Sequence, residues 1–167
     1  MPAGIPGEVN RIWDSAVEPQ VITPYGTTGA PGAYGVPVVI DATSGQVRTL
    51  VAADTAVYGF LARPFPTGSS LGGMAANVAG STLGTSVPPS SGTCDVMVSG
   101  YMSVLLGGLA AAVKAAPVYI WTATTITNHV QGTIEAAATV GSTIQVANAY
   151  FTGPADSSGN TEIAFRP

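Results

Sequence analysis

Charge is what this chain has least of: 8% of its 167 residues are Asp, Glu, Lys or Arg, against about 25% in ordinary soluble domains. Such a surface is unusually neutral, as befits a protein whose outside is largely covered by partners. The five basic residues are outnumbered by nine acidic ones, giving a net charge of −4 and a pI of about 4.6. That balance repels a phosphate backbone and excludes nucleic acid as a partner. Lys114 is the only lysine, and lysine is depleted at protein interfaces because its ammonium is strongly hydrated. Cys94 stands alone, which excludes an internal disulfide and offers no thiolate pair to zinc; it reads as a small apolar core residue. Met1-Pro2-Ala3-Gly4-Ile5-Pro6-Gly7-Glu8 has neither a basic nor an apolar signal region, so a secretory signal is not expected and synthesis in a host cytoplasm is. Residues 96–113 are 18 uncharged positions, about the lower limit for a membrane-spanning helix. Gly100, Gly107 and Gly108 with Ser99 and Ser103 interrupt them, and a turn at Gly107-Gly108 divides them into two elements, so no membrane segment is expected.

What is present reads as strand. The length suits one domain with a sizeable core. Residues 1–35 hold five prolines and six glycines and no sustained apolar period, predicting an extended arm in which residues 9–13 and 20–22 are short edge strands or segments that add to a neighbour's sheet. Trp13, within it, is expected to pack on its own domain or against another subunit. A single β domain follows over residues 36–167. Strands are predicted at 35–41, 46–51 and 56–63, a spacing of about ten residues that suggests a sandwich or barrel. The third lies in Tyr58-Gly59-Phe60-Leu61-Ala62-Arg63-Pro64-Phe65-Pro66, where Pro64 and Pro66 must end the ladder and Gly59 implies the close approach of another backbone or ring. Residues 67–92 are Gly, Ser, Ala, Pro and Thr rich and predict a long loop. Residues 95–106 are apolar on both faces, as in a central strand. Alanines before Pro117 predict a short helix at 109–116, and strands are expected at 117–122, 130–136 and 143–151. Ile144, Val146 and Tyr150 share one face of the last, which returns through a turn at 153–160 to Ile163 and Phe165.

No chemistry is assembled locally. Gly68-Ser69-Ser70-Leu71-Gly72 matches G-x-S-x-G, and Ser70, Asp95 and His129 follow in α/β-hydrolase order. That elbow belongs between a buried strand and a helix, whereas here prolines precede it, Gly73 follows, and the alternating helices of a parallel sheet are missing. A small serine hydrolase is therefore kept only as an alternative to test. His129 has no carboxylate nearer in sequence than Glu135, and the acidic residues are scattered singly, so neither a metal nor a general base is indicated. The sequence Asp156-Ser157-Ser158-Gly159-Asn160-Thr161-Glu162 lacks the EF-hand ligand pattern and reads as a turn. Leu71-Gly72-Gly73-Met74 lacks the lysine and hydroxyl of a phosphate loop. No cofactor is expected.

Three stretches carry a family likeness: the 58–66 segment above, Gly84-Thr85-Ser86-Val87-Pro88-Pro89, and Ala149-Tyr150-Phe151-Thr152-Gly153-Pro154-Ala155-Asp156 continuing through Gly159-Asn160 to Glu162-Ile163-Ala164-Phe165. Gly7-Glu8-Val9, Arg11 and Pro117-Val118-Tyr119 add to it. On these the chain resembles the structural cement proteins of tailed bacteriophages; the arm and the 67–83 stretch match least. The resemblance implies an all-β, jelly-roll-like subunit, a homodimer, on the outside of the virion across junctions between major capsid proteins. It implies reinforcement of the expanded shell, with no enzymatic activity. Another phage surface or tail β-module is the alternative. Residue type and position single out Arg11, Trp13, Arg63 and Phe65 as candidate capsid contacts.

Overall fold

The computed structural model describes residues 4–24, 29–64, 87–89 and 91–167. It is all-β, and among these residues the one helical element is a 3-10 turn, Ile12–Asp14. Nine strands form one antiparallel sheet: β1 (Ala16–Val21), β2 (Pro37–Ile40), β3 (Val47–Thr49), β4 (Gly59–Ala62), β5 (Thr93–Leu105), β6 (Pro117–Trp121), β7 (Ile134–Glu135), β8 (Thr143–Phe151) and β9 (Asn160–Phe165). The order is β3-β2-β4-β5-β9-β8-β6-β7, with β1 also paired to β5.

Strand β5 is the spine. Its two apolar faces require burial on both sides, and its 13 residues supply length for two neighbours on one edge. The first half pairs with β4, Leu61 opposite Val96; the second half pairs with β9, Met102 opposite Ile163. Along the other edge runs the N-terminal segment. Val9 bridges Met102, Asn10 N–H donates to the Tyr101 carbonyl, and β1 continues the seam from Ala16 opposite Ser99 to Val21 opposite Thr93. Residues 7–21 of the N-terminal stretch thus lie on the sheet, with the Ile12–Asp14 turn bulging out opposite Gly100.

Both halves curl back towards this spine. At one end β3 returns to the tip of β1, Val47 bridging Ile22; at the other, β7 returns to the tip of β5, Ile134 bridging Leu106. Each curl encloses a core. Ile22, Tyr34, Val38, Val47, Leu61, Cys94 and Val96 fill the smaller, and the larger gathers Phe60, Met97, Met102, Val118, Ile120, Ile134, Phe151, Ile163 and Phe165 among others. Phe60 and Phe165 meet edge to face at 5.3 Å, joining β4 to β9 on the same edge of the spine. Cys94 is buried, as expected, and burial pushes its thiol up to about 11, which makes it inert. Gly59 has the close neighbour the sequence implied: a Cβ there would meet the Met97 carbonyl oxygen at 2.6 Å.

Three local expectations are corrected. Residues 109–116 are not helical: Ala115 takes a positive φ of 66°, its N–H donates to the Phe151 carbonyl, and Phe151 N–H donates to that of Ala116. Pairing with the end of β8 takes the groups that a helix would use internally, and overrides alanine's propensity. In β8, Tyr150 faces out while Ala149 and Phe151 face in, because Asn148 adopts a φ of 56°. Pairing with β6 then slips from Tyr119 opposite Gln145 to Pro117 opposite Tyr150, a bulge that inverts the alternation. Residues 130–136 shrink to the two residues of β7, since Val130 and Gly132 serve a turn that hydrogen-bonds Thr133 and Trp121.

The turn between β3 and β4 is held by Arg48, which donates to both carboxylate oxygens of Asp54 at 2.8 and 2.9 Å, while Val51 N–H donates to the same carboxylate. The Arg48 hydrogen bonds hold the Asp54 carboxyl below its usual range. A depressed folded-state value contributes stability above the ordinary aspartate range, and that stability is lost as pH falls through the folded value. Asp54→Asn is therefore expected to lower stability by about 2 kcal/mol at neutral pH and to cost progressively less below about pH 4. Chemical denaturation at two pH values checks it; an equal cost at both would show that the ion pair contributes nothing.

Candidate functional site

Each side chain singled out in the sequence has a definite setting. Trp13 stands on the projecting 3-10 turn and is 100% exposed, so it does not pack on its own domain. The turn projects because Ser15 fits against the side-chain-free Gly100, its Oγ donating to the Arg11 carbonyl and accepting from Tyr101 N–H. Exposed Ile12, Val17 and Val21 continue an apolar ridge along β1. Ile22 N–H donates to the Gly92 carbonyl, so the alternation along β1 turns the backbone of Val17, Pro19 and Val21 away from β5. Pro19 has no N–H to offer on that outer edge, which blunts it against strand addition. The ridge therefore offers side chains more than a ladder.

Arg11 is half exposed and belongs to a surface network. It donates to Glu162 Oε1 at 2.9 Å and lies 3.9 Å from the centroid of the Tyr101 ring, whose hydroxyl accepts from Arg166. Asn10 and the Thr152 hydroxyl also donate to Glu162. Arg63 turns inward instead: 8% exposed, it stacks 4.7 Å from the centroid of Tyr34 and donates from Nε to the Pro6 carbonyl, while its own N–H donates to Gly7. Burial lowers its pKa without threatening its charge. Its place is a clamp between the exit of β4 and the N-terminal segment. Phe65 lies outside the described residues, as does the Ser70 motif.

Beside Arg63 opens a cavity of about 210 Å³, lined by Pro6, Ala33, Tyr34, Val36, Leu105, Leu106 and Ile134 among others. The lining is largely apolar, and Arg63 is its charged member. Sequence reasoning had no signal for this cavity, which assembles five separated segments.

A second apolar surface lies on two loops. Residues 107–116 carry exposed Leu109 and Val113, and residues 123–133 carry exposed Ile126 and Val130. The loops meet where Gly107 and Gly108 abut Thr133 and Glu135. Glu135 is buried and pairs with His129 Nδ1 at 3.1 Å, and the imidazole stacks on Trp121 at 4.3 Å. The histidine is thus a loop fastener. Among the described residues no three His, Cys, Asp or Glu side chains form a group able to hold a metal, and no helix is long and apolar enough to cross a membrane.

The chain resembles a solved structure titled "The capsid of Myoviridae Phage XM1", with a TM-score of 0.70 and 19% identity over 99% of this chain and 92% of that one. At that identity the likeness establishes a shared fold. No curated protein matches. The family model described as XM1 gp53 minor capsid protein matches residues 1–165, so the chain belongs to that family of capsid proteins, and its role is a structural one in the virion.

Proposed function

We propose that the protein binds the outer surface of the phage capsid as a non-enzymatic homodimer and cements neighbouring major capsid proteins, stabilising the expanded shell. What carries this reading is the pair of exposed apolar surfaces, the ridge around Trp13 and the loops bearing Leu109 and Ile126, on a chain with so little charge. A bridge needs two adhesive surfaces, and monomeric soluble proteins rarely leave such positions uncovered. Burying an indole of about 200 Å² contributes up to about 5 kcal/mol. A composite site across adjacent capsid proteins exists only in the assembled lattice, so binding it stabilises the lattice by mass action. A dimer presenting two loop surfaces gains further from effective concentration.

Co-sedimentation with expanded, undecorated phage shells and with unexpanded precursor shells tests this. Saturable binding to expanded shells with a rise in their melting temperature is expected. Binding to neither shell would overturn the capsid reading in favour of another virion β-module.

A further inference from the structure

We propose that the cavity beside Arg63 receives Trp13 of a second copy of this chain, and that the exchange is reciprocal about a two-fold axis. The inference deepens the dimer of the reading above and rests on it for the occupant being another copy.

Four observations support it. The cavity, about 210 Å³ and largely apolar, suits an indole in size and chemistry. Arg63 in its wall already stacks on Tyr34, and a guanidinium binds the face of tryptophan more favourably than any other ring. Trp13 is wholly exposed, so its own cavity does not use it. Finally, Pro6 in the cavity wall and Trp13 lie on the same N-terminal strip, at most about 23 Å apart along the chain. When two such strips face each other antiparallel with Pro6 opposite Trp13, the same register sets Glu8 opposite Arg11. Both are exposed and oppositely charged, Arg11 also holding Glu162 of its own copy, and the two-fold forms the contact twice. A monomer thus carries a knob and a hole that satisfy each other only between copies.

Sedimentation velocity on the full chain, wild type, Trp13→Ala and Ala33→Phe, tests the proposal. Ala33 is exposed at the cavity and its phenyl replacement fills it, so both variants keep the melting temperature of the monomer. The wild type is expected to dimerise in the micromolar range, each variant to weaken the dimer at least about tenfold, and Trp13 emission to shift blue with concentration while buried Trp121 stays constant. Mixing the variants restores one of the two seats, so the mixed dimer should form more tightly than either variant alone. A wild type that stays monomeric to about 100 µM, or a dimer indifferent to either substitution, would overturn it. Shell co-sedimentation of Trp13→Ala reads shell binding separately, because the loop surface is intact in that variant.

Discussion

Gly100→Ala is expected to cost about 4 kcal/mol, a large share of the roughly 5–15 kcal/mol that holds a domain folded. Gly100 sits on the spine at a φ of 133°, where a side chain is strained, and an added Cβ would stand 2.1 Å from Ser15 Oγ and 2.7 Å from Ser15 Cα. The clash displaces Ser15, and with it the hydrogen bonds that connect the projecting turn to Tyr101 and Arg11. Two costs are therefore combined, backbone strain and loss of the seam. They can be separated in part: adding Ser15→Gly should remove the side-chain collision and recover part of the loss, leaving the strain and the close approach to the backbone at position 15. Urea unfolding measures both variants. A single variant that melts within about 2 °C of wild type would show that the N-terminal segment does not close on β5 at this point.

Phe165→Ala should be of similar size, about 3–5 kcal/mol. The ring is buried two residues from the last position, opposite Gly100 in one register and Ala149 in another, and edge to face with Phe60. Its removal opens a void among β4, β5, β8 and β9 that a spine bound on both edges cannot close by collapse. The aromatic pairing predicts non-additivity: Phe60→Ala and Phe165→Ala together should cost less than their sum by about 1 kcal/mol. Strict additivity in thermal melts would show that the two rings do not communicate.

How much of this was legible in the sequence depended on whether the signal was local. Strand β5 was readable because both parities of residues 95–106 are apolar, and the β8–β9 hairpin because a polar turn separates two β-rich runs. Gly59 announced a close backbone. What failed were positions decided elsewhere in the chain. The alanines of 109–116 favour a helix until Phe151 claims their backbone groups, and Asn148 inverts the facing of Tyr150 by one left-handed residue that simple alternation does not register. Among the candidate contacts, Arg11 and Trp13 are on the surface, but Arg63 points inward because Tyr34 and Pro6, remote in sequence, build a seat for it. The cavity itself has no contiguous sequence at all.

The seam between residues 7–21 and β5 also has a direction. Its backbone bonds cross the gap side by side, so a pull along the strand axis strains the whole row at once, whereas a pull away from the sheet strains one bond at a time from the end. If Trp13 is gripped by a neighbour, tension tangential to the surface meets the seam in its strong orientation, and lifting meets it in its weak one. The seam thus resists stretching along the strand more than peeling from the sheet.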